Sequence, residues 1–308
     1  MSEPAPPAPG VLRQLLERVG LGRPELRAWA MYDWANSAFM TTIIAAVFPV
    51  YFIEVAASGL PPSAAQFRFA LATTIGLTLI AILSPVLGAL ADTRGAKKAF
   101  LAVFVALGVV STCAMAAIGP GEWRLASVLF ILGNVAISGG FAFYDSLLPH
   151  IARPAEIDRV STAGYALGYL GGGLLLAVNL LWILQPARFG LADAGAATRL
   201  SFVSVGIWWA VFSIPIFRRV KEPAVRLEPG ERELGGPTRI AMARLRQAFN
   251  ELRRYPQAAL MLAAFLLYSD GINTIIRLAA TYGTEIGIGQ THLIGAFLIV
   301  QFVGIPFA

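Results

Sequence analysis

Seven apolar runs, at 29–52, 69–91, 99–118, 125–148, 163–184, 200–217 and 258–282, constrain this chain more than any other feature. Hydrocarbon about 30 Å thick is crossed by a helix of roughly 17 to 25 apolar residues, and each run reaches that length. An eighth begins near Leu293 and is still apolar at Ala308. With 57% hydrophobic and only 14% charged residues, the chain has too little polar surface to hide these runs in a soluble domain. The expected fold class is therefore all-α integral membrane, with six N-terminal spans, then a seventh and most of an eighth.

Orientation follows from where Lys and Arg fall between the runs, because positive residues near span ends stay in the cytoplasm. Arg13, Arg18, Arg23 and Arg27 precede the first run; Arg94, Lys97 and Lys98 lie in the second connection, Arg153 and Arg159 in the fourth, and ten more in the sixth. The alternate connections hold only Arg68, Arg124, Arg188 and Arg199. The expectation is a multi-pass protein of the cell inner membrane with a cytoplasmic N-terminus. The net charge of +6 is then a topology signal and does not call for a nucleic-acid partner.

Composition divides the chain into four parts. Residues 1–28 form a cytoplasmic tail, Pro- and Ala-rich over 2–10, with an amphipathic stripe of Val11, Leu12, Leu15, Leu16 and Val19. Residues 29–217 form a six-helix bundle. Residues 218–256, with Pro223, Pro229, Pro237 and Glu228, Glu231, Glu233, form a charged cytoplasmic linker. In it Leu245, Phe249 and Leu252 recur at helical spacing beside Arg244, Arg246, Arg253 and Arg254, the pattern of a helix lying on an anionic leaflet. Residues 257–308 begin a second bundle.

A charge at mid-bilayer costs about 2.5–3.5 kcal/mol on insertion scales, so each one points to a function and a partner. The candidates are Asp33, Asp145, Asp270 and Arg277. Asp33-x-x-Asn36-Ser37 opens the first run and Asp270-x-x-Asn273-Thr274 lies in the seventh, an internal echo of the kind repeated bundles leave. Acid and amide three residues apart project from one side of a helix. Such a pair can bind a substrate ammonium group, or take up and release a proton when burial penalises its charge. Asp270 and Arg277 share a face about 10 Å apart along the axis and can line one cavity. Asp145, near the cytoplasmic end of the fourth run, either contributes to that cavity or reaches water. Gly164, Gly168, Gly171, Gly172 and Gly173 lie mid-span and read as a helix-packing stripe rather than a phosphate cradle.

Chemistry of other kinds finds little support. Cys113 is the single cysteine, and His150 and His292 stand apart from it and from each other, so no metal or other cofactor is expected. No nucleophile and base can be paired, which argues against an enzyme.

The second connection reads GALADTRGAKK, and Gly88, Asp92, Gly95 and Lys97 match the signature between the second and third helices of the major facilitator superfamily. Thr93 and Ala96 stand where basic residues are common, with Arg94 beside them. Together with YDWANSAF (32–39), FYDSLLPHIA (143–152) and STAGYALGYLGGG (161–173), this resembles the vacuole-effluxer, autophagy-related branch of that superfamily. The resemblance covers 29–308. It implies two six-helix bundles with alternating access around a site at their interface, gating contacts from Asp92 and the basic residues of the loop, and amino acids or similar metabolites as cargo. Twelve helices are the family's number, so a C-terminally truncated chain is expected. The functional expectation is a secondary transporter moving a small polar metabolite, with protons coupled through Asp33 or Asp270. The alternative is a truncated, non-transporting membrane protein, inert or a partner for another subunit. Oligomeric state is not indicated by these residues.

Overall fold

The computed structural model describes residues 11–225, 230–231 and 236–305. The tail 2–10, linker residues Glu228, Pro229 and Glu233, and the last apolar residues 306–308 lie outside them, as does the side chain of Leu12. The described residues are helical throughout their ordered elements: α1 (Val11–Arg18), α2 (Pro24–Phe39), α3 (Phe48–Tyr51), α4 (Pro62–Arg94), α5 (Lys97–Ala114), α6 (Trp123–Ile151), α7 (Ile157–Leu184), α8 (Ala194–Arg219), α9 (Pro237–Arg254), α10 (Pro256–Glu285) and α11 (Gln290–Gly304).

Six helices, α4 to α8 and α10, are long and apolar enough to cross a membrane, and α2 with α3 makes a seventh span bent by 42°. The bend has a local cause. A π-helical segment, Met40–Ala46, follows α2 and ends with the Val47 amide bonding the Thr42 carbonyl at 2.9 Å. Pro49 then has no N–H to continue the ladder and its ring crowds the preceding turn. The sequence alone predicts a span at 29–52; in the structure the helix starts at Pro24 and breaks at Val47. Proline also opens α4, α9 and α10, where its missing N–H is one that no helix would use.

α2 lies between α7 and α8 at the centre of the bundle, with α6 packed between α4 and α5, and α5 packed directly on α8. The glycine stripe of α7 makes the central contact, as its spacing predicts. A Cβ on Gly168 would lie 2.6 Å from Ser37 Oγ, and one on Gly172 would lie 2.9 Å from the Ser37 carbonyl oxygen. Thr41 Oγ1 donates to that same Gly172 carbonyl at 3.3 Å, so the π segment is tied across the interface. Asn179 on α7 donates to Thr42 Oγ1 at 3.4 Å and accepts from Ser204 on α8 at 3.0 Å, one polar link among three spans. Beyond the bend, Phe48 and Phe69 each stack on Phe130 at 5.0 Å, forming the aromatic core at that end.

Helix α9 runs along the C-terminal part of α4 and buries Ile240 and Ala241, one to three turns before the stripe that its sequence emphasises. Phe249 of that stripe stays 59% exposed beneath the Arg253 guanidinium. Bidentate bonds of 2.6 and 2.8 Å from Arg244 hold Glu231 against the helix. α10 is buried toward its C-terminal end, at Arg277, Ala280, Thr281 and Gly283, with Leu278 packed against the core between them. It leans on the bent first span, and its remaining length presents Leu260, Phe265 and Leu267 outward, as a lipid-facing surface requires.

Candidate functional site

The YDWANSAF stretch forms the inner wall of one polar cluster. Trp29 stacks on Tyr144 of α6, with ring centroids 4.3 Å apart and planes 11° from parallel, and its indole N–H donates to the Tyr144 carbonyl at 3.1 Å. Tyr32 packs on the same tyrosine at 4.8 Å. Trp34 stacks on Trp208 of α8 at 5.6 Å, and Trp208 Nε1 donates back to the Trp34 carbonyl. These rings fix the rotation of α2. They turn Asp33 inward, where it is 5% exposed.

Gly164 of α7 makes room for that carboxyl, since a Cβ there would lie 3.2 Å from Asp33 Oδ2. Asn36 and Tyr144 flank it, and Asp145 is close enough for the two acids to repel. No Lys or Arg forms an ion pair with Asp33 among the described residues. Tyr32 Oη, Tyr144 Oη and both amide atoms of Asn36 are buried without a well-formed hydrogen bond, and Asn36 and Tyr144 lie close enough to the Asp33 carboxyl to donate to it after a small movement. Buried polar atoms are paired almost everywhere in native proteins, so a group of orphans around a carboxyl marks a place for a proton, water or ligand.

A second polar site lies on α10. Arg277, 7% exposed, reaches across to Asn134 of α6 and donates from Nη1 to Asn134 Oδ1 at 2.6 Å. Asn134 Nδ2 donates to the Phe130 carbonyl at 2.8 Å, which orients the amide with its oxygen toward the guanidinium. Gly76 of α4 permits this, because a Cβ there would sit 2.9 Å from Asn134 Cβ.

The structure does not bring the two halves of the internal echo together. Asp270 and Asn273 are exposed, and Asn273 turns back to donate to the Ser269 carbonyl of its own helix at 2.8 Å. The cause is that α10 packs only beyond residue 276, so the acid and amide lie on its free length, while Asp33 and Asn36 are enclosed by α6 and α7. Asp145 is likewise exposed, on the rim of the Asp33 cluster.

At the C-terminal end of α4, Gly95 closes the helix in the left-handed conformation at φ +60°, which only glycine adopts without strain. A Cβ added at Gly88 would meet nothing within 4 Å, so no neighbouring helix approaches closely there. Asp92 pairs with Lys97 at 2.9 Å, and Lys97 Nζ also reaches the Ser146 carbonyl at 3.5 Å; Arg94 is exposed. The residue that sequence reasoning missed is Glu222, beyond α8. Its carboxylate accepts from the Lys97 amide at 2.6 Å and the Lys98 amide at 2.9 Å, capping the N-terminus of α5 from a distant segment. A lone acid after Arg218, Arg219 and Lys221 was its only sequence signal. Replacing Glu222 with Ala is expected to cost about 0.5–2 kcal/mol, the range for losing a helix cap, read as a lower unfolding midpoint in detergent. Glu222→Asp, which shortens the reach, is expected to recover part of it.

Two solved structures share this architecture. A D-xylose-proton symporter aligns with a TM-score of 0.58 over 92% of this chain and 66% of its own, at 16% identity. The xylose transporter XylE from E. coli, in a partially occluded inward-open conformation, aligns at 0.54 over 95% of this chain and 71% of its own, also at 16% identity. The bundle is therefore an all-α membrane fold of the major facilitator type. Within that class the chain belongs to the Atg22-like vacuole effluxer family, whose model matches residues 66–306. It is 34% identical over 292 residues to the uncharacterized MFS-type transporter YxiO of Bacillus subtilis, covering 91% of this chain and 65% of that protein. Autophagy-related protein 22-1 of Penicillium rubens is 23% identical over 314 residues, 79% of this chain and 51% of that protein. The chain thus spans about half to two thirds of the length of these curated relatives. Homologues of this kind are membrane transporters and not enzymes.

Proposed function

We propose that this chain carries the proton-coupling site of a secondary transporter that moves a small polar, amino-acid-like metabolite across the cell inner membrane by alternating access. The observation that carries the reading is Asp33: a carboxyl enclosed between α2, α6 and α7, with no cationic partner among the described residues and a shell of unpaired polar atoms. A carboxylate in that setting is costly unless it takes up a proton or a cation, and its occupancy can then bias one arrangement of the helices over another. Asp33 is preferred to Asp270 for this role because Asp33 is enclosed by the bundle and Asp270 is exposed. The distribution of Lys and Arg supports a cytoplasmic N-terminus, with 218–256 as the cytoplasmic linker. Asp92, Lys97 and Glu222 then sit at the cytoplasmic face, where contacts must break and reform as the bundle opens.

The test is accumulation of labelled amino acids by vesicles containing the purified protein, with and without an imposed pH gradient. Gradient-dependent accumulation of at least one of them is expected. Equal filling of protein-containing and empty vesicles across a panel of amino acids and small polar metabolites sinks the reading.

A further inference from the structure

Arg277 is a buried cation whose charge nothing in the described structure balances. A guanidinium offers five N–H donors in a planar fork. Arg277 spends one, from Nη1, on the neutral amide oxygen of Asn134. Its Nε is buried with no partner, Nη2 makes no hydrogen bond, and no carboxylate pairs with it among the described residues. The unused donors share one in-plane edge of the guanidinium, because Nε–H and Nη2 lie side by side there while Nη1 lies on the Cδ side. That edge matches the spacing of the two oxygens of a carboxylate.

The amide of Asn134 has the chemistry of a holder rather than of a counterion. Anchored to the Phe130 carbonyl, it fixes the orientation of the guanidinium and leaves the positive charge intact. An acid at position 134 would neutralise the same arginine permanently. Desolvating a cation without an opposite charge costs several kcal/mol, so an anion from outside the protein has a large free energy to gain here.

We propose that the Nε–Nη2 edge of Arg277, held by Asn134, is the subsite that binds the carboxylate of the cargo, so that the transported molecule is a small carboxylate-bearing metabolite. This rests on the transport reading above, and adds the group of the cargo that is read and the residue that reads it. It also separates two roles. Asn134 lies ten residues before Tyr144 on α6, about 15 Å along the axis at ~1.5 Å per residue, and Tyr144 flanks Asp33. An α-amino acid carries its two charges on adjacent carbons and cannot touch both sites at once. Asp33 is thereby left free for a proton while Arg277 holds the substrate. Because Nε is enclosed, the carboxylate reaches it when α10 shifts against α6, the kind of movement that opening a cleft between packed helices produces.

The experiment compares ligand-induced thermal stabilisation of the purified full chain by carboxylates and their matched amides: acetate against acetamide, L-alanine against L-alaninamide, L-leucine against L-leucinamide. At least one carboxylate is expected to raise the unfolding midpoint while its amide does not. Arg277→Gln is expected to weaken that binding at least tenfold. Asn134→Asp guards against misfolding of the first variant: it keeps Arg277, should raise the midpoint without ligand, and should abolish the carboxylate effect. Stabilisation by no carboxylate over its amide, or equal stabilisation of wild type, Arg277→Gln and Asn134→Asp, overturns the proposal. Because this readout is equilibrium binding, its failure is distinct from failure of the transport reading, which the vesicle assay tests; Gly88→Ala, remote from both sites, should leave carboxylate binding unchanged.

Discussion

Vesicles carrying Asp33→Asn should accumulate no more labelled substrate under a pH gradient than empty vesicles, while still exchanging labelled for unlabelled substrate at nearly the wild-type rate. The distinction between the two assays follows from the site. Asparagine has almost the volume of aspartate, so it fits beside Gly164 and Trp29 without disturbing the α2–α7 contact, where a Cβ on Gly164 would already lie 2.9 Å from the Trp29 ring. What it removes is the ability to gain and lose a proton. Exchange needs only the loaded carrier to reorient, whereas accumulation needs the proton to be bound on one side and released on the other. Loss of both activities in a well-folded variant would mean that Asp33 contributes binding or packing instead. Full accumulation would remove it from the coupling step. Asp33→Glu keeps the acid but adds a methylene in a space with no slack, for which overpacking costs of about 1–3 kcal/mol are typical, so it should fold less stably and accumulate poorly.

The largest effect on stability is expected at Gly172. A Cβ there would lie 2.9 Å from the Ser37 carbonyl oxygen and 2.8 Å from Thr41 Cγ2. Because the first of these is backbone, the clash cannot be relieved by rotating a side chain; α2 and α7 must move apart. Separation would also break the bond from Thr41 Oγ1 to the Gly172 carbonyl. Gly172→Ala should cost roughly 1–3 kcal/mol, and Gly172→Leu should prevent assembly of the bundle. The control is Gly88→Ala, in α4, where nothing lies within 4 Å of the added carbon. There the change should be neutral or stabilising by about 0.5–1 kcal/mol, because alanine loses less freedom than glycine on entering a helix. Unfolding midpoints of the purified variants check all three, and equal midpoints for Gly172→Ala and Gly88→Ala would refute the packing account.

Glycines 164 to 172 show how far sequence reasoning reached at the site. Their spacing predicts a close helix contact, and the structure supplies the partner: the four-residue steps of α7 meet the four-residue steps of α2, setting Gly164 against Asp33, Gly168 against Ser37 and Gly172 against Thr41. Asp33 itself was legible, because an acid at the head of an apolar run is conspicuous. Tyr144 and Asp145 as its neighbours were not, since they come from a helix more than a hundred residues away and nothing local records the approach. The echo at Asp270 shows the reverse. Its residue pattern repeats that of Asp33, yet burial depends on what packs over a helix, and α10 is covered only toward its C-terminal end. In sequence Asn134 is no more than a polar group able to hydrogen-bond between helices, and Glu222 escaped notice, because each is an ordinary polar residue until folding places it against Arg277 or the head of α5.

From the sequence by itself come the membrane class, the helical spans, the family and a short roster of suspicious charges. These depend on hydropathy, length and local spacing, which the chain states residue by residue. The tertiary structure alone decided which charges are enclosed, that the first span breaks at Val47, and that the buried polar groups form two separate sites instead of one. Those outcomes depend on which helix faces which, and that is set by complementary surfaces distant in the chain, ring against ring and glycine against carbonyl, whose fit exists only once the helices have packed.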